Sequence, residues 1–219
     1  MLNGVRAPLA RALAPLGVAL ARAGVSPDVV TIIGTLGVSA GALGCYPRGN
    51  FVGGTLIITF FVFADMLDGA LARARGGGSR WGAFLDSSLD RVGDAAIFSG
   101  LALYYAGRGD DNLLTAVAVY CLVAGMLTSY VRARAEGLGL RADVGIAERS
   151  ERLIVILVAT GLSGLLDYPP LLAGALWLLA AASTVTVVQR FVAVHRQVAS
   201  DPVPEPVPVP GPTSEVPRA

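Results

Sequence analysis

At 219 residues, 54% hydrophobic and 15% charged, with mean hydropathy +0.64, the chain is too apolar for a soluble domain, which would carry about 25% charge. Its net charge of +1, without a stripe of basic and aromatic residues, excludes nucleic acid as the expected partner. A protein that crosses a membrane several times fits this balance.

The first expected element is residues 1–24. Leu2, Val5, Leu9, Leu13, Leu16 and Leu20 recur at three- and four-residue spacing, with Arg6, Arg11 and Arg22 between them. Pro8 and Pro15 interrupt any apolar core of the kind a secretory signal has. An amphipathic helix lying on the membrane surface is expected there.

Ser26 and Pro27 follow, a cap residue and a first-turn proline. Apolar segments then occupy 29–46, 51–64, 95–106, 113–131, 153–166 and 171–188. A span needs about 20 residues, so 51–64 and 95–106 are short if they stop where charges begin. They suffice if the second helix continues through Asp65 and Asp68 and the third begins near Ala83. The fifth is expected to start near Arg149. The tail from Ser200 is Pro-rich with little to bury, and disorder is expected. The predicted fold is an all-α membrane protein of six transmembrane helices after an interfacial helix. Its units are residues 1–24, a six-span domain over 25–199, and a tail over 200–219.

Arginine placement orients the bundle. All 17 basic residues are arginine, and with both termini on one side only Arg48 and Arg108 fall on the other. The positive-inside rule places the termini, and with them the aspartates, in the cytoplasm.

Asp65, Asp68, Asp86 and Asp90 flank the turn between the second and third segments. A carboxylate in the membrane costs about 2.5–3.5 kcal/mol even on insertion scales, so something must offset it. Spacings of three and four put each pair on one helical face. Converging carboxylates suit a hard divalent ion, Mg²⁺ or Mn²⁺, and magnesium commonly shares phosphate oxygens with a substrate. Gly69 and Ala72 remove bulk on the same turns, and Arg73 supplies a guanidinium for phosphate.

These residues resemble the signature of the CDP-alcohol phosphotransferases, D-x2-D-G-x2-A-R-x8-G-x3-D-x3-D. Asp65, Asp68, Gly69, Ala72, Arg73, Gly82, Asp86 and Asp90 fill every fixed position. The resemblance covers roughly residues 26–196. It implies six transmembrane helices, a cytoplasmic-side site, use of two metal ions and a homodimer. It also implies that the first three aspartates hold the metals and the pyrophosphate of CDP-diacylglycerol. Asp90 would approach a metal and deprotonate an acceptor hydroxyl. "SPDVVT" is similar to the family's P-N-x-x-T, with Asp28 for Asn. Pro27 and Thr31 are therefore candidates for the nucleotide pocket, although a helix cap explains them equally well.

The acceptor is read from residues 129–153. Arg132 and Arg134 lie on nearly opposite sides of a helix, so at least one should point inward, where a guanidinium suits phosphate. The segment resembles actinobacterial members of the family whose acceptor is inositol phosphate. That resemblance implies a phosphate pocket of Arg132, Arg134, Arg152 and Arg190, often with Lys where this chain has Arg132. Members that take glycerol phosphate are the alternative, but their usual Lys-rich segment is missing. A divalent-cation transporter would also use membrane aspartates, without needing the Gly69, Ala72 and Arg73 spacing. Cys45 and Cys121 lack metal or disulfide patterning, and His195, the single histidine, is expected at the surface.

Overall fold

The structure, a computed structural model, describes residues 26–74, 77 and 79–200, and the side chains of 65–74 are outside that description. Among the described residues there are six α-helices and no strand. They are α1 (Pro27–Cys45), α2 (Phe51–Ala74), α3 (Arg80–Ala106), α4 (Asn112–Glu136), α5 (Arg149–Leu166) and α6 (Pro169–Ser200). The expected helix over 1–24 and most of the tail, from residue 201, lie outside the described residues.

Local chemistry sets the helix ends. Ser26 Oγ accepts the Val29 N–H at 3.3 Å and Pro27 occupies the first turn of α1. Ser79 and Asp111 cap α3 and α4 in the same way, accepting from Gly82 at 2.8 Å and Leu114 at 2.9 Å. Glu148 and Glu151 form a reciprocal capping box that starts α5 at Arg149. Asp167, in a left-handed conformation, ends α5 one residue before Tyr168, and α6 opens on Pro169.

Each of the six apolar segments lies within one helix or its adjoining turn. α2 runs through Asp65 and Asp68 to Ala74, and α3 starts three residues before Ala83. Among the described residues three stretches are long and apolar enough to cross a membrane: 27–48, 112–136 and 169–200, with hydropathies of 1.7, 1.8 and 2.1. α2, α3 and α5 carry their charges at one end, which shortens their apolar runs.

The helices pack as a ring in the order α1, α2, α5, α6, α4, α3. Ile58, Ile97, Leu101, Ile156, Leu172 and Leu176 are fully buried inside it. Large apolar side chains also point outward, among them Leu36, Leu56, Phe60, Leu165 and Leu178, whereas Thr160, Ser183, Thr186, Arg152 and Arg190 are buried. A water-soluble bundle would not leave that much apolar surface uncovered. An integral membrane protein, with lipid as the outer solvent and polar groups turned inward, accounts for both features.

Candidate active site

Helix direction alternates along the chain, so the starts of α1, α3 and α5 meet the ends of α2, α4 and α6 at one end of the bundle. The polar residues of the sequence motifs collect there. α3 carries Asp86, Asp90 and Asp94 at four-residue intervals, hence along one face. Asp94 was absent from the expected site, although it continues the spacing that made its two predecessors conspicuous.

The first two turns of α5 supply the counter-charges. Arg149 donates from NH1 to Asp90 Oδ1 at 3.0 Å and from Nε to Asp94 Oδ1 at 3.2 Å. Arg152 donates from NH2 to Asp94 Oδ2 at 3.1 Å. Asp94 therefore holds one guanidinium on each carboxylate oxygen. Arg152 is only 3% exposed, and α4 makes room for it: a Cβ on Gly125 would lie 3.1 Å from its NH2. The buried Nε of Arg152 has no hydrogen-bond acceptor among the described residues.

Arg190 on α6 is as deeply buried. Its Nε donates to the Val144 carbonyl at 2.9 Å and its NH1 to the Thr128 carbonyl at 2.7 Å. Val144 belongs to the 137–148 connection between α4 and α5, which is fastened along α6. The Ala147 N–H donates to Thr186 Oγ1 at 3.0 Å, and the Arg141 N–H donates to Gln197 Oε1 at 2.9 Å. Gln197 Nε2 returns a bond to the Arg141 carbonyl. Gly145 permits this close approach, because a Cβ there would overlap Thr186 Cγ2, and its φ is 149°.

Asp90, Arg132, Arg149, Arg152 and Arg190 line one cleft of about 280 Å³. Arg132 is half-exposed at the end of α4, where its Nε donates to Glu136 at 2.9 Å. A narrower cleft of about 40 Å³, on the α1 side of α3, shares Asp90 and Arg149 and adds Gly34, Thr35 and Asp94.

The expected site residues are thus distributed unevenly. Asp90, Arg132, Arg152 and Arg190 come together in the larger cleft, and Asp86 is half-buried one turn before Asp90. Arg134 is exposed and does not line that cleft. Two positions along a helix turn the side chain by about 200°, which carries Arg134 away from the face that Arg132 shares with Arg152. Gly82 lies beside the start of α1, where a Cβ on it would sit 3.6 Å from Asp28 Oδ1. Thr31 is buried, and its hydroxyl donates to the Pro27 carbonyl at 3.1 Å. Asp65, Asp68, Gly69, Ala72 and Arg73 lie on the helical backbone of α2, but their side chains are outside the described residues. His195 is exposed at the surface.

Among the described residues no three metal-ligating side chains converge, and two of the four motif aspartates lie outside that set. The donors that are described fit a divalent ion. Asp86 and Asp90 offer hard oxygens one turn apart, and α2 and α3 both pack on α1 with their motif-bearing ends at the same end of the bundle.

The family model for CDP-alcohol phosphatidyltransferase matches residues 24–188. Phosphatidylinositol phosphate synthase of Streptomyces avermitilis is 53% identical over 204 residues, covering 90% of this chain and 84% of that protein. Its counterpart from Cutibacterium acnes is also 53% identical, over 203 residues, covering 90% of this chain and 98% of that protein. The crystal structure of Mycobacterium tuberculosis phosphatidylinositol phosphate synthase with CDP-DAG bound aligns with TM-score 0.80 at 46% identity, over 84% of this chain and 94% of that one. The same enzyme in complex with manganese and citrate aligns with TM-score 0.81 at 45% identity, over 87% and 93% of the respective chains. The motif, the all-helical bundle and the match over most of its length make this chain a member of the CDP-alcohol phosphatidyltransferase family.

Proposed function

We propose that the protein transfers the phosphatidyl group of CDP-diacylglycerol to inositol phosphate, giving phosphatidylinositol phosphate and CMP. One observation carries the acceptor half of this reading: Asp90 shares a cleft with Arg132, Arg152 and Arg190. A carboxylate able to take a proton thus stands beside guanidiniums able to hold a phosphate. The relatives whose names carry this activity, at about half identity over most of the chain, support the same reading.

In the proposed reaction the acceptor's phosphate rests on Arg132, Arg152 and Arg190. Arg134, on the outer side of α4, is left to lipid headgroups. Asp90 accepts the proton of the acceptor hydroxyl, whose oxygen bonds to the phosphorus attached to diacylglycerol. The bond from that phosphorus to the CMP oxygen breaks, and CMP leaves. Asp65, Asp68, Asp86 and Asp90 would hold Mg²⁺ or Mn²⁺, which when bound would offset charge developing on the phosphoryl oxygens and the leaving group. Gly69, Ala72, Arg73 and Gly82 would line the CDP-lipid site, with Pro27 and Thr31 at its α1 side.

All six helices are proposed to span the cell membrane, with the site and both termini cytoplasmic. Residues 25–199 would form the catalytic domain. Purified protein with CDP-diacylglycerol and Mg²⁺ should release CMP with inositol phosphate and do so poorly with unphosphorylated inositol. Turnover of glycerol phosphate but not inositol phosphate would replace the acceptor. Equal use of inositol and inositol phosphate would remove the arginine pocket from the account.

A further inference from the structure

We infer that Asp94 is a positioning residue of the acceptor site, setting Arg149 and Arg152 against the cleft without touching the acceptor itself. The inference rests on the acceptor reading above and adds a residue outside the family signature. Arg149 and Arg152 line the larger cleft, whereas Asp94 does not. Asp94 stands behind them, with Oδ1 bound to Arg149 at 3.2 Å and Oδ2 bound to Arg152 at 3.1 Å. With both oxygens committed to guanidiniums, its role is to hold them.

The arrangement answers a specific electrostatic problem. Arg149 and Arg152 are one turn apart on α5, so their like charges repel, and Arg152 is buried. A buried guanidinium without a partner is strongly unfavourable, yet a buried ion pair adds little stability over apolar packing. Asp94 resolves the first difficulty, and the second makes stability a poor reason for the cluster. Gly125 gives Arg152 its place against α4, and Asp94 fixes its NH2 end. The Nε of Arg152, buried and without an acceptor among the described residues, retains a donor for an anion. Asp94 by itself offsets only one of the two guanidinium charges. The same carboxylate sits one turn beyond Asp90, to which Arg149 is bound as well. Acceptor phosphate and proton acceptor are therefore tied to one stretch of α3.

Steady-state kinetics of the purified full-length protein test this. Asp94→Asn keeps the shape and removes the charge. It should raise KM for inositol phosphate by about tenfold or more while KM for CDP-diacylglycerol stays within about twofold. Asp94→Glu should recover part of the loss. In an Arg152→Gln background, Asp94→Asn should add less than it does alone, because one of the two guanidiniums it holds is already removed. That comparison also stands if Asp94→Asn alone folds poorly, since the double variant buries no unpaired guanidinium at position 152. An unchanged acceptor KM, parallel rises for both substrates, or a full further loss in the double variant would each overturn the inference. Failure of the wild type on inositol phosphate, with turnover of glycerol phosphate, would instead overturn the acceptor reading. The Asp94 comparison would then be read with glycerol phosphate.

Discussion

Burial separates two arginines that share a cleft. Arg132 is 47% exposed and leans on Glu136, whereas Arg190 is 3% exposed and holds two backbone carbonyls. Arg132→Gln should therefore weaken inositol phosphate use in KM and leave thermal unfolding in detergent unchanged. Arg190→Gln should weaken it as well, and should also destabilise the protein by about 1–3 kcal/mol, because the Val144 and Thr128 carbonyls cannot both keep a donor. Identical unfolding curves for the two variants would contradict the buried contacts of Arg190. Asp90 makes a different demand. Asp90→Asn should cut turnover at least about 10²-fold, the lower range for a lost general base, with CDP-diacylglycerol binding largely retained. Turnover near that of the wild type would remove Asp90 from the base role.

At the scale of elements, the 137–148 connection is as much a part of the cleft as the helices it joins. It approaches α6 through Gly145 and is pinned by Thr186, Arg190 and Gln197. Gly145→Ala would push against the Thr186 side chain and strain a backbone at φ 149°. Overpacking of this kind typically costs about 1–3 kcal/mol. The connection should move off α6, drawing the Val144 carbonyl from Arg190. The expected result is a raised KM for inositol phosphate together with faster proteolysis between α4 and α5. Unchanged proteolysis and unchanged KM would mean that the connection does not shape the acceptor site.

For the whole molecule, the ring gathers polar chemistry at one end and leaves an apolar outer surface. The proposed orientation, from positive-inside counting, puts that end in the cytoplasm. Cysteine reporters test the assignment after replacement of Cys45 and Cys121. Gly109 is a poor reporter site, since a Cβ there would lie 2.9 Å from the Tyr104 ring. Asn112, exposed at the start of α4, and Leu138, exposed beyond its end, are better placed. A cysteine at 112 should react with an impermeant label on intact cells, and one at 138 only after permeabilisation. The reverse pattern would turn the site to the outside.

Much of this protein is written in local patterns. Apolar runs broken by capping residues mark six helices because lipid exposure and backbone satisfaction are properties of each segment by itself. The spacing of Asp65, Asp68, Asp86 and Asp90 is legible for the same reason: each pair sits on one helix, where separation along the chain translates directly into a face. Even Asp94 lay within reach of that pattern. What the chain order does not contain is which ends meet. The joining of Asp94 to Arg149 and Arg152 across 55 and 58 residues, and of Arg190 to Val144 across 46, depends on how the ring closes. Arg132 and Arg134 are equivalent by composition, and only the neighbour packed on α4 distinguishes them. Helical spacing is a one-dimensional code, whereas a pocket between helices arises from packing among distant segments. The sequence by itself therefore determined the helices, the motif and the family, and the tertiary structure decided which arginines share a cleft with Asp90.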